Sequence, residues 1–284
     1  MKFNELTMGG HMSTAGGLWN APARAREFGF RSFQIFSKNQ MQWKAKDLPP
    51  DDVTSFRDEV KKSGVSKLMV HASYLLNLGT AKPDLLERSY EALVNEIKRC
   101  EILGIDYLVL HPGSATGTTE AAAIKGIADG INRALLETKS SSVIVETAAG
   151  QGSTVGSTFE EISRIIDGID QKKRTGVCFD TCHVYASGHD IRSPSGYEET
   201  MDQFRSVIGH DRLKAFHLND SKKGPGSRVD RHEQIGLGML GIEGIMNFIR
   251  DDRLSGIPMI LETPLGEEGY GRDLELIRNQ LEVG

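Results

Sequence analysis

The sequence predicts an α/β chain closed as a (β/α)8 TIM barrel, with its site at the C-terminal mouth of the strands. Short apolar runs alternate with amphipathic segments of helical spacing, at a steady beat along all 284 residues. Glycine or proline punctuates most of the joins. Six successive apolar runs also end on a histidine or a carboxylate, where such a barrel gathers its chemistry.

Taken in order, LTMGGH (6–11) is followed by a helix predicted over 17–28, and SFQIFS (32–37) by one over 51–63. KLMVHA (67–72) leads to 84–103, YLVLH (107–111) to 119–138, and VIVET (143–147) to 158–166. GVCFDTC (176–182) precedes a helix over 197–208, LKAFHL (213–218) one over 242–250, and PMILE (258–262) one over 274–281. An open doubly wound sheet would carry G-x-G-x-x-G after its first strand, and GGHMSTAGG lacks that spacing. No linker or low-complexity tract interrupts the pattern, so residues 1–284 read as a single catalytic domain. The long irregular stretch from about 220 to 240, rich in Gly, Lys and Arg, reads as a functional loop.

Composition bounds the answer. With 38% hydrophobic residues the chain can bury a large core, yet its longest apolar runs are only a few residues and span no membrane. The start, MKFNELTMGGHMS, has no signal-peptide apolar core, and three cysteines (Cys100, Cys178, Cys182) argue against a disulfide scaffold. A cytoplasmic setting follows, with monomer as the default and no obligatory protein partner. The formal net charge of −5 would ordinarily count against nucleic acid, but three divalent ions in one cleft would more than offset it.

Six of the eight histidines (His11, His71, His111, His183, His217, His232) sit beside a glycine turn or a carboxylate. With Glu146, Asp180, Asp230 and Glu262 they form a donor set of imidazoles and carboxylates, which suits zinc and, less exclusively, manganese or iron. His71, His111, Glu146, Asp180, His217 and Glu262 end strands three to eight in turn. Asp180 and His183 are three apart where a strand is expected to turn into a loop, and can serve neighbouring ions. Asp230 and His232, two apart, face one way in extended chain and can grip one ion. Singly, each of these residues would pass for a hydrogen-bonded turn residue; together they place metal ligands on one rim. His189 and His210 lie in a turn and at a helix end and read as non-ligands. Cys178 reads as a packing residue of the barrel interior, and Cys182 as a non-ligand.

Clustered divalent ions suit hydrolysis of a phosphate ester. Loops on the same rim suit a nucleic-acid backbone. SKNQMQWK offers Lys38, Asn39, Gln40, Gln42, Trp43 and Lys44; SKKGPGSRVDR offers Lys222, Lys223, Arg228 and Arg231. Tyr74 and Leu75, in ASYLLNLG, form an aromatic–aliphatic pair able to wedge into a base stack. The glycines of AAGQGSTVGS leave backbone amides open to phosphates.

HLNDSKKGPGSRVDRHEQIGLG (217–238), FDTCHVYASGHD (179–190), LVLHPGS, VHASYLLNLG, GGHMSTAGGLWNAPARA and FSKNQMQWKAKDLP resemble segments of the endonuclease IV family of abasic-site repair enzymes. The resemblance runs over nearly the whole chain. It implies a zinc-dependent DNA repair endonuclease with three Zn2+ per chain (Mn2+ or Fe2+ as substitutes). Such an enzyme cuts double-stranded DNA 5′ to an abasic site, leaving a 3′-hydroxyl and a 5′-deoxyribose phosphate. It implies that His71, His111 and Glu146 hold the first ion, and that Glu146 bridges to a second held by Asp180, His217 and Glu262. His183, Asp230 and His232 would hold the third. A hydroxide between the first two ions would attack phosphorus, with Glu146 and Glu262 as catalytic ligands and the third ion stabilising the leaving 3′-oxygen. Tyr74 and Leu75 would help to extrude the abasic sugar, with Lys38, Asn39, Gln40, Met41, Lys222, Arg228 and Arg231 contacting DNA. One position departs: where family members often carry an arginine that reaches into the minor groove, this chain has Met41. His11 shares the rim by position, without a ligand role.

The remaining alternatives are a sugar isomerase on a metal-bearing barrel and a non-catalytic module that binds damaged DNA or metal. Isomerase ions are bound mainly by carboxylates, which five imidazoles and a basic loop fit poorly; a binding module would leave an abasic duplex uncut.

Overall fold

A computed structural model describes residues 3–283. Eight parallel strands close a barrel: β1 (Met8–His11), β2 (Ser32–Ile35), β3 (Lys67–His71), β4 (Tyr107–Leu110), β5 (Ser142–Glu146), β6 (Thr175–Asp180), β7 (Leu213–His217) and β10 (Met259–Leu261). They run in chain order round the ring, with β10 closing onto β1. Two further strands, β8 (Asp220–Ser221) and β9 (His232–Glu233), pair antiparallel as a hairpin above the barrel. The predicted fold class is therefore the observed one.

Seven helices clothe the barrel much as the periodicity predicts: α1 (Asn20–Glu27), α2 (Pro50–Ser63), α3 (Pro83–Leu103), α4 (Glu120–Leu136), α5 (Phe159–Asp167), α7 (Pro194–Val207) and α8 (Gly241–Ile249). Their ends follow local chemistry. Thr158 and Glu161 form a capping box at the start of α5, and Gly104, at φ 76°, ends α3 in the left-handed region that side chains avoid. Three expectations need correction. The last helix, α9 (Glu267–Val283), begins seven residues before the predicted 274. The sixth strand ends at Asp180, and residues 181–187 form a separate helix, α6 (Thr181–Ser187), where a loop was expected. The stretch from 220 to 240 is not wholly irregular, because it holds the β8–β9 hairpin.

The strand alternation divides the core into two layers. Met69, Val109, Ile144, Cys178, Ala215 and Ile260, one from each of β3 to β7 and β10, pack together inside the barrel. Their neighbours Val70, Leu110, Val145, Phe179, Phe216 and Leu261 face outward into the larger core beneath the helices. Each interior residue lies two positions before a candidate ligand. The next inward position, at the end of each strand or just past it, therefore carries His71, His111, Glu146, Asp180, His217 or Glu262, one layer above the apolar plug.

Candidate metal centre

Glu146 is the hub of this upper layer. Its Oε2 lies 3.3 Å from His71 Nε2 and 3.1 Å from His111 Nε2. Its Oε1 lies 2.9 Å from His217 Nδ1 and 3.3 Å from His183 Nδ1. Three groups of side chains each bring their donor atoms within 4.8 Å of one another: His71, His111 and Glu146; Glu146, Asp180, His217 and Glu262; and His183, Asp230 and His232. The structure thus brings together all nine residues that the sequence singled out. Six of them, His111, Glu146, His183, Asp230, His232 and Glu262, line a mouth cavity of about 240 Å³ that Tyr74 and Arg231 also border.

The second nitrogen of four imidazoles is held by an acceptor. His71 Nδ1 lies 2.7 Å from the Ala72 carbonyl, His183 Nδ1 2.8 Å from that of Thr147, and His232 Nδ1 3.1 Å from that of Glu262. His217 Nε2 lies 3.0 Å from the Gln34 side-chain oxygen. A carbonyl oxygen only accepts, so each of these nitrogens carries the proton and the other presents a lone pair to the cluster. That is the arrangement of a metal-ligating histidine. Nε2 of both His183 and His232 is buried without a hydrogen-bond partner. Buried polar atoms normally find one, and two orphaned lone pairs beside the Asp230 carboxylate fit a cation.

The electrostatics agree. Burial opposes ionisation of Glu146, but the imidazoles of His217 and His111 prevail and hold the carboxyl well below the usual carboxylate range. Glu262 is likewise buried and likewise held down, chiefly by His217. Burial also works against Asp230, yet His183 brings it to about 2. Burial disfavours a charged His183, and Asp180 overcomes this, raising it well above its ordinary value. Carboxylates that retain protons on imidazoles would retain a divalent cation instead, with release of those protons.

The local chain explains how ligands off the barrel strands reach the centre. Asp180 caps α6, accepting from the His183 N–H at 2.7 Å, so the new helix turns His183 back over the cluster. Buried Asp220 accepts from five backbone N–H groups: Ser221 at 2.7 Å, Gly236 at 2.9 Å, Gly238 at 3.0 Å, and Leu240 and Gly241 at 3.1 Å. It thereby ties together both ends of the loop that carries Asp230 and His232. Arg228 in that loop adopts a left-handed backbone, φ 54°, unusual for a residue with a side chain.

Sequence reasoning missed the amides that wire the ligands together. Gln34 donates to Glu262 at 2.6 Å, and Asn219 donates to Asp180 Oδ2 at 2.7 Å while accepting from the Glu262 N–H at 2.8 Å. His11, expected on the rim without a ligand role, has its Nδ1 3.4 Å from Glu262 Oε1. It belongs with Gln34 as a support of that carboxylate. Cys178 is in the barrel interior. Cys182 lies within ligand distance of Asp180 and His232, and burial pushes its thiol up to about 12.

The expected DNA-contact residues divide. Met41 and Tyr74 are exposed, at 66% and 55%, as are Asn39, Lys222, Arg228 and Arg231, with Gln40 and Leu75 half-buried. Lys38 is turned inward: its side chain is 4% exposed, 3.3 Å from Glu96, and donates to the Gln42 carbonyl at 2.7 Å. An ammonium so enclosed is not presented to a ligand on the rim.

Residues 22–280 match the family model described as a xylose isomerase-like TIM barrel. A protein of Chloroflexus aurantiacus described as probable endonuclease 4 is 44% identical over 262 residues, 92% of each chain. One of Thermoplasma acidophilum with the same description is 45% identical over 277 residues, 98% of this chain and 95% of the relative. Among solved structures, endonuclease IV from Thermus thermophilus matches with TM-score 0.87 and 34% identity, covering 98% of this chain and all of that one. A D-tagatose 3-epimerase-like protein, at TM-score 0.73 and 17% identity over 98% of both chains, shares the fold alone.

Proposed function

Because the chain belongs to the endonuclease IV family, we propose that it is a zinc-dependent phosphodiesterase that cuts duplex DNA on the 5′ side of an abasic site. It would leave a 3′-hydroxyl and a 5′-deoxyribose phosphate, acting as a cytoplasmic monomer of one domain. The observation that carries this reading is the convergence of nine imidazole and carboxylate donors into three ligand-sized groups, two of which share Glu146.

His71, His111 and Glu146 would hold one ion, Glu146, Asp180, His217 and Glu262 a second, and His183, Asp230 and His232 the third. Bound zinc ions would supply Lewis acidity toward a phosphodiester and lower the pKa of water to near neutrality. Glu146 has a role no imidazole could fill, since its two oxygens face different groups of ligands. Gln34 and Asn219 hold Glu262 and Asp180 in fixed rotamers, so the site needs little reorganisation when substrate arrives.

Arg231 borders the cavity and offers a guanidinium to a phosphate oxygen there. Tyr74 carries a phenol that is protonated at neutral pH, so it can donate to an oxygen of the sugar or phosphate. Together with Leu75 and Met41 it supplies apolar surface to the space left by a missing base. The test is a duplex with one abasic site, incubated with the protein before and after chelation. A nick at that site, abolished by chelation and restored by zinc, is expected; an intact strand with fully metallated protein rejects the reading.

A further inference from the structure

Helix α3 carries two charged side chains on its buried face, Glu96 and Arg99, among Leu93, Ile97, Cys100 and Leu103. Three residues apart, they share one side of the helix. Glu96 Oε1 accepts from the backbone N–H of Ser73 at 3.1 Å and pairs with Lys38 Nζ at 3.3 Å. The Lys38 ammonium passes the link to the Gln42 carbonyl at 2.7 Å. Arg99 donates to Ser37 Oγ at 3.1 Å, to the Ser37 carbonyl, and to the Lys46 carbonyl at 2.9 Å. Between the two loops, Ser73 Oγ donates to the Gln40 carbonyl at 2.5 Å and accepts from the Leu75 N–H at 3.2 Å.

These bonds connect two loops. One, after β2, holds Met41 between Gln40 and Gln42; the other, after β3, holds Tyr74 and Leu75 directly after Ser73. Stability does not explain the charges, since a buried ion pair contributes little more than apolar residues of the same volume. What ions add is direction: each hydrogen bond fixes one loop atom relative to the helix.

We propose that Glu96, with Lys38 and Arg99, is a positioning device that holds the Met41 loop against the Tyr74–Leu75 loop and so sets affinity for duplex DNA. None of the three charged groups borders the mouth cavity, so they act through the loops. The proposal rests on the abasic-site reading above, which gives those loops a DNA-facing role.

Glu96→Gln tests it. The amide oxygen can still accept from Ser73 and from Lys38, but it carries no charge to attract the buried ammonium, so the link to the Met41 loop is weakened. KM for a duplex with one abasic site should rise about tenfold, the size expected for one lost binding interaction. Turnover of bis(4-nitrophenyl) phosphate, too small to need either loop, should stay within about twofold, as should zinc content. Arg99→Met cuts the same loop at its other anchor and should show the same split; it carries the test if Glu96→Gln does not fold. An unchanged KM for DNA overturns the proposal, as does a parallel fall on both substrates, which would mean general support of the fold. Wild-type protein that leaves the duplex intact overturns the abasic-site reading and the brace with it. Wild-type nicking with an unaffected variant overturns the brace alone.

Discussion

Gln34 donates to Glu262 across the barrel mouth at 2.6 Å. Its oxygen meanwhile accepts from His217 Nε2 at 3.0 Å, so one neutral side chain sets the rotamer of a carboxylate and the tautomer of an imidazole in the same ligand group. Gln34→Leu removes both constraints at similar volume. Supporting groups of this kind are worth about 10–100-fold in metal affinity. Competition with a graded chelator should show one zinc released that much more readily; unchanged retention of all the zinc would refute the role.

Glu146→Gln leaves one neutral oxygen where two charged ones face four imidazoles. Loss of about two orders of magnitude or more in nicking rate is expected, since metal-ion charge stabilisation is worth several kcal/mol. Glu262→Gln should behave similarly, and near-normal turnover in either variant would contradict the assignment. Far-ultraviolet circular dichroism should report an intact barrel, because neither change alters the apolar plug below.

Asp220→Ala strips the acceptor from five backbone N–H groups in the loop that carries Asp230 and His232. The destabilisation should be about 3 kcal/mol, the scale set by buried groups left unsatisfied. Zinc content should drop by one ion, and amide exchange should accelerate across residues 222–238. Full zinc content would show that the loop keeps its shape without this anchor.

Metal-free protein should be less stable at pH 8 than at pH 5.5. Against the penalty of burial, Glu146 raises the pKa of His71 and Asp180 that of His183. A raised imidazole contributes stability that is full below its unfolded value of about 6.5 and is lost as pH climbs through the folded one. Asp230 works in the opposite direction: depressed to about 2, its contribution is present above the unfolded carboxylate value and disappears on acidification toward that figure. Zinc-loaded protein should instead gain stability as pH rises over that range, because the ligands must lose protons to bind. Thermal melts of both forms at the two pH values check the crossing; parallel curves would contradict it.

Met41→Arg adds a cation at a position 66% exposed on the rim. The slope of log affinity for abasic duplex against log salt should steepen by about 0.9, one phosphate contact. Equal slopes would mean that residue 41 does not meet the DNA backbone.

The barrel and its candidate ligands were legible because both obey short periods. Period-two alternation puts His71 above Met69 and Glu146 above Ile144, and a strand end can be read from a few residues. Helix α6 escaped notice because Thr181 to Ala186 are all buried, leaving no polar face to mark a helical period. Gln34 and Asn219 carry no local signal, since their partners lie 228 and 39 residues away. Lys38 misled for a related reason. In sequence it is a cation in a polar loop; its burial depends on Glu96, which the chain delivers only on the next helix but one.

Nine protein ligands and three zinc ions are proposed to hydrolyse the phosphodiester 5′ to an abasic site. The most direct test of that proposal is the chemistry of the ends made from a duplex with one abasic site by protein loaded with zinc. A 3′-hydroxyl that a polymerase extends, opposite a fragment bearing 5′-deoxyribose phosphate, is the predicted result. An uncut strand, or a 3′ end still carrying the remnant sugar, would contradict it.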